Sequence, residues 1–193
     1  MENAMAEKKK GRRAHLDAFK KNEKGEYIYT GKLYAFDETV IRWKTAVIRL
    51  GAAWAVLMAA MIINGCIPAP GMAGCFYVLL PYAAQVVSAA ALGVALLSVA
   101  TAGNPLREYQ YEAAVKKIPM RSRLAAIFAG ASVLGELLYL IQNGAGNAAG
   151  MAALFLVLEV IACVCAAWIC KYSKSWFLQV SPIDNLPKNH YNC

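Results

Sequence analysis

Two short segments of this chain, residues 65–72 and 143–147, contain no lysine or arginine, although the 193 residues hold 20 of them. Eleven precede residue 45, five fall between 101 and 123, three follow residue 170, and only Arg49 lies inside a long apolar run. Histidine is nearly absent too: His15 and His190 both stand near the chain ends. No Cys-x-x-Cys pair occurs, and the Cys163-Val164-Cys165 spacing suits neither a zinc nor a dithiol site. No resident metal and no cofactor are therefore expected. A glycine-rich phosphate loop is missing, as is any nucleophile with an adjacent base, so the residue patterns of acyl and phosphoryl transfer are excluded. The expectation is a protein that is not an enzyme.

What the sequence has in quantity is apolar length. Its hydrophobic content is 59% and its mean hydropathy +0.41, which places it with membrane proteins. Residues 45–64, 73–100, 124–142 and 148–170 each reach the roughly 20 residues that span a bilayer. The expected fold is an all-α membrane protein, a four-transmembrane-helix bundle. Short loops rich in Lys and Arg stay cytoplasmic, so both termini and the loop 101–123 are expected inside, with the two cation-free segments outside. The reading is a multi-pass protein of the plasma membrane. The polar N-terminal region, residues 1–44, is far too long for the start of a signal peptide, so the first helix serves as its own insertion signal. The net charge of +8 then lies against the cytoplasmic face, where anionic lipid headgroups, not nucleic acid, are the expected partner.

The segments outside the spans differ in character. Residues 1–26 are polar and charged, with Lys8-Lys9-Lys10, Arg12 and Arg13 in a basic cluster, and are expected to be disordered in isolation. Residues 27–36 (Tyr-Ile-Tyr-Thr-Gly-Lys-Leu-Tyr-Ala-Phe) are rich in β-formers around Thr30-Gly31, which predicts a short hairpin or an extended segment. Asp37-Glu38-Thr39 offers a helix start. In the loop 101–123, Gly103-Asn104-Pro105 ends a helix, and Leu106 to Ile118 reads as an amphipathic helix closed by Pro119. Residues 172–193 form a cytoplasmic tail. Pro81 falls inside the second span and predicts a kink.

The two hairpins resemble each other. Asn64-Gly65 is followed by Gly71-Met72-Ala73, and Asn143-Gly144 by Gly150-Met151-Ala152, at a constant offset of 79 residues. This suggests a tandem duplication of a helical hairpin. Pairing Arg49 with Arg123 also puts Arg49 near the inner interface, where its long side chain can snorkel.

Two carboxylates, Glu136 and Glu159, lie within apolar runs, and an ionisable group at bilayer depth is a functional hypothesis by default. Ser132, Glu136, Tyr139 and Asn143 share one face of the third helix, as Glu159, Cys163, Ala166 and Cys170 share one face of the fourth. Gln85 in the second helix stands at similar depth. The expectation is one intramembrane binding cluster of Gln85, Glu136, Tyr139 and Glu159, in which two close carboxylates cannot both stay charged. Cys66 and Cys75 flank the first outer loop and are candidates for a disulfide. Two functions follow as expectations. One is an accessory or scaffold component of a membrane complex that binds a membrane or cytoplasmic protein through its inner face. The other is a small transporter or channel subunit whose carboxylate pair is linked to protons or cations.

Overall fold

The computed structural model describes residues 19–21, 27–29, 32–36, 42–144, 146–177 and 180–183. Four long helices dominate: α1 (Trp43–Cys66), α3 (Phe76–Ala102), α5 (Ile118–Asn143) and α6 (Ala149–Phe177). The five-residue α2 (Pro70–Gly74) joins α1 to α3, and α4 (Glu108–Ala113) lies between α3 and α5. With 24 to 29 residues each, the long helices extend about 36 to 44 Å at 1.5 Å per residue, enough to pass through a hydrocarbon core of about 30 Å. Each packs against its neighbour in the chain, and α6 closes the ring against α1.

The polarity of this bundle is the reverse of a water-soluble one. Val87, Ile48 and Ile141 are 69%, 69% and 80% exposed, while Gln85, Glu136 and Glu159 are wholly covered. Water would penalise that arrangement, whereas lipid as solvent requires it. The chain is an integral membrane protein.

The helix boundaries differ from the expected spans, and the starts of α3 and α5 have local causes. Pro119 does not close a helix. It sits in the first turn of α5, where a missing N–H costs nothing because no intrahelical acceptor stands there. The expected amphipathic helix from Leu106 to Ile118 is instead divided into strand β4 (Leu106–Arg107), α4 and a 3-10 turn, Val115–Lys117. Helix α3 begins at Phe76 rather than residue 73, because Pro70 opens the separate turn α2. Gly103 and Gly144 end α3 and α5 with φ of 72°, a left-handed conformation that other residues adopt only with strain.

The interior is layered. At the end where α1 begins and α6 finishes, Trp43, Leu50, Leu96, Val115, Ile118 and Trp176 form a bulky core. The middle is narrow: Leu57 and Met61 meet Ala89, Ala125, Ala162 and Ala166. Small residues let the axes approach, which matters in lipid because helix association there depends on close van der Waals contact. At Gly135, one member of the Ala131-x-x-x-Gly135 spacing, a Cβ would stand 2.8 Å from the Tyr77 carbonyl oxygen, whereas Gly130 faces open space. Pro81 deprives that same carbonyl of its helical donor. Ser132 Oγ donates to the next carbonyl, of Val78, at 3.3 Å, so α5 packs closely where α3 is interrupted. Trp54 crosses from α1 to donate its indole N–H to the Ala89 carbonyl at 2.9 Å.

Residues 27–36 do not pair with each other. Strand β2 (Tyr27–Tyr29) pairs antiparallel with β1 (Phe19–Lys21). Strand β3 (Leu33–Phe36) is the centre of a second sheet, with β4 on one side and β5 (Val180–Ile183) on the other. A local hairpin would leave one edge of β3 unpaired. Pairing with segments that leave the bundle at the same end satisfies both edges. Tyr34 of β3 stacks on Tyr111 of α4 at 4.4 Å, and Glu108 N–H donates to the Lys32 carbonyl at 3.1 Å. The N-terminal region, the α3–α5 connection and the C-terminal segment thus meet at one end of the bundle. The basic cluster at Lys8–Arg13, the Asp37-Glu38-Thr39 helix start, His15 and His190 lie outside the described residues.

Candidate functional site

Toward the end where α1 finishes and α6 begins, the bundle interior turns polar. Glu159 lies ten residues into α6, about 15 Å along it, and its side chain leans toward the helix N-terminus as helical side chains do. It therefore reaches the last turn of α1. Asn64 Nδ2 donates to Glu159 Oε1 at 3.2 Å and to the Phe155 carbonyl at 3.3 Å. Gln85 approaches the same carboxyl from α3, although neither of its amide atoms forms a well-aligned hydrogen bond. Tyr82 stands beside the group, its hydroxyl donating to the Met61 carbonyl. Asn64, Gln85 and Glu159 are all fully buried.

The hydrogen-bond inventory of this cluster does not close. Asn64 Oδ1, Gln85 Oε1 and Nε2, and Glu159 Oε2 all lack partners. Three of the four are oxygens, so acceptors exceed donors. Among the described residues, no Lys or Arg bonds to Glu159. A bare carboxylate would be a buried, uncompensated charge. A proton on Oε2, a water or a small cation would each supply the missing positive partner.

Glu136 belongs to a different group. It lies seven residues from the end of α5, and its Oε1 accepts the backbone N–H of Gly71 in α2 at 3.3 Å, while Oε2 has no partner. A Cβ on Gly71 would collide with the Glu136 carboxyl group and come within 3.2 Å of Tyr139 Cβ. Only glycine brings its amide this close. Helix α2 thus folds onto α5, and Ala69 beside it is 0% exposed, packed with Val78, Tyr82 and Phe155. Both carboxylates are covered, but Glu159 is surrounded by more protein than Glu136, which lies under the thin α2 turn.

The hydrogen bonds divide among different partners the residues expected from helical spacing to form one cluster: Glu159 bonds Asn64, and Glu136 bonds Gly71. The structure places Gln85 with Glu159 and Tyr139 with Glu136, and neither carboxyl group has the other as a bonding partner. Asn64, which completes the Glu159 group, enters the sequence reading only as part of the repeated Asn-Gly pair. Its signal was present: Leu50, Leu57, Met61 and Asn64 recur at helical spacing, and all four are buried. Cys66 and Cys75 are free thiols, Cys66 exposed at the last turn of α1 and Cys75 half-buried, with α2 between them. Cys163 and Cys170 pack against α5, their thiols donating to the Ala126 and Pro119 carbonyls at 3.6 and 3.4 Å. Among the described residues, no three His, Cys, Asp or Glu side chains gather as metal ligands. Compared with known protein families, curated proteins and solved structures, the chain has no significant match.

Proposed function

We propose that the chain is a small non-enzymatic carrier or channel subunit that takes up a proton or a monovalent cation at the Glu159 cluster. The observation that carries this reading is the set of unpartnered buried oxygens on Asn64, Gln85 and Glu159. Structural polar contacts between helices ordinarily satisfy one another, and this set lacks a positive partner. Glu159 holds the proton or cation, Asn64 orients its carboxyl group through Oε1, and Gln85 offers the third oxygen. Helix α2, tied to Glu136 through Gly71, covers the approach from the loop end. In this reading the termini lie in the cytoplasm and the membrane is the plasma membrane, as the distribution of cations favours. The two hairpins are copies that have diverged: Asn64 turned inward to Glu159, whereas Asn143 is exposed and bonds the Tyr139 carbonyl of its own helix.

The test uses the purified chain in liposomes carrying an internal pH dye, with a potassium diffusion potential imposed. Proton or cation flux above that of protein-free vesicles is expected, and Glu159→Gln should reduce it to the protein-free level without lowering folded yield. Equal flux in the variant would refute the assignment.

A second reading, an accessory component that holds another protein, is favoured by the β4–β3–β5 sheet. It ties the N-terminal region, the α3–α5 connection and the C-terminal segment into one surface at the end of the bundle. Deleting residues 1–36 removes the central strand and should release a co-purifying partner. Retention of every partner would count against that role.

A further inference from the structure

We propose that the cleft between the start of α5 and the end of α6 binds the phosphate of an anionic phospholipid, with one acyl chain lying along the groove below it. The cleft has a volume of about 540 Å³. Its rim carries Arg123 from α5 and Lys171 and Lys174 from α6, and its floor is Ala126, Ala167 and Cys170. Among the described residues, no carboxylate lines it. The three cations converge there without a counter-ion from the described residues, a poor arrangement unless an anion occupies it.

The depth suits a headgroup. The apolar run of α6 ends at Cys170, and Lys171 and Lys174 follow it within the next turn, the position of a helix leaving the hydrocarbon for the headgroup layer. Below them the groove continues toward the hydrocarbon: Ala167 is exposed, and Val164, one turn deeper, is 61% exposed. Small floor residues leave room for a chain that a Leu would fill. The adjacent arginine behaves differently. Arg121 Nη1 donates to the Ala91 carbonyl of α3 at 2.6 Å, so only Arg123 turns toward α6. A basic pocket between membrane helices beside an apolar groove is the chemistry that selects an anionic lipid over a zwitterionic one. This assignment is independent of the Glu159 reading.

The experiment is native mass spectrometry of the full chain in detergent, titrated with phosphatidylglycerol, with phosphatidylcholine and, separately, with inorganic phosphate. Phosphatidylglycerol should be retained in preference to phosphatidylcholine and should resist displacement by inorganic phosphate. Arg123→Gln, Lys171→Gln and Lys174→Gln should each weaken retention about fivefold, the factor for one cation near an anionic surface. Ala167→Leu, which keeps every charge and alters only an exposed floor position, should weaken it as well. Lys116→Gln with Lys117→Gln removes two exposed cations from the same end outside the cleft and should leave retention unchanged. An equal loss in that control, full retention in Ala167→Leu, or complete displacement by inorganic phosphate would each overturn the proposal.

Discussion

Glu159 and Glu136 are the same residue type, both wholly covered, both within the half of the bundle where α1 finishes and α6 begins, and each has one oxygen without a partner. They differ in what holds the other oxygen. Glu159 is bound by a side chain on a long helix, Asn64 of α1. Glu136 is bound by one backbone N–H of a five-residue turn. A long helix packed along its length is rigid, whereas a single turn between two loops depends on its few contacts. The same carboxyl group thus serves as the centre of a fixed cluster in one place and as the fastening of a connecting segment in the other.

The largest expected effect separates these roles directly. Asn64→Leu removes the side chain that donates to Glu159 Oε1 and leaves that oxygen without its donor, which should cost about 2 kcal/mol, measured as unfolding in mixed detergent. A cost near zero would mean that Asn64 does not hold the carboxyl group. The Glu136 side should respond more weakly. Gly71→Ala must push the flexible carboxyl group aside and lose its N–H bond, for about 1 kcal/mol. Because the collision is with Glu136, that cost should shrink in the Glu136→Ala background, and simple additivity in the double-mutant cycle would break the latch description.

The smallest stability effect sharpens the contrast through function. Glu159→Gln and Glu136→Gln preserve shape, so each should change stability by less than about 1 kcal/mol, while only Glu159→Gln is expected to abolish flux. Equal flux loss in both variants would make the two groups one pathway again. Sidedness has its own reporter: with the other cysteines replaced by serine, exposed Cys66 should react with an impermeant maleimide added outside intact cells, and protection until lysis would invert the orientation.

Much of the architecture was legible in the chain because lipid imposes a length and a polarity on every span. Four runs of about 20 apolar residues have no other stable conformation in a bilayer, since each backbone N–H must find its acceptor within the helix. The burial of Glu136 and Glu159 was legible for the same reason. Helical spacing placed Ser132 and Glu136 on one buried face, but it could not register one helix against another. Two carboxylates of similar depth can bond to different elements, as Glu159 does to α1 and Glu136 to α2. Asn64 escapes the sequence reading because it stands at the very end of the expected span, within the repeated Asn-Gly pair, and here the helix runs on through it to Cys66. Pro119 was misplaced because proline both ends helices and begins them.

By itself, then, the order of residues determined that four helices cross a membrane, that their carboxylates face inward and that one end of the bundle carries the cations. These depend on solvent preference, which each segment expresses locally. Only the tertiary structure decided that Glu159 meets Asn64 and Gln85 and that Glu136 meets Gly71. It also decided that β3 pairs with β4 and β5 instead of β2, and that Arg123 joins Lys171 and Lys174. Each of those contacts joins residues far apart in the chain, and their choice depends on how helices of nearly equal hydrophobicity slide and rotate against one another until small residues, kinks and polar groups fit.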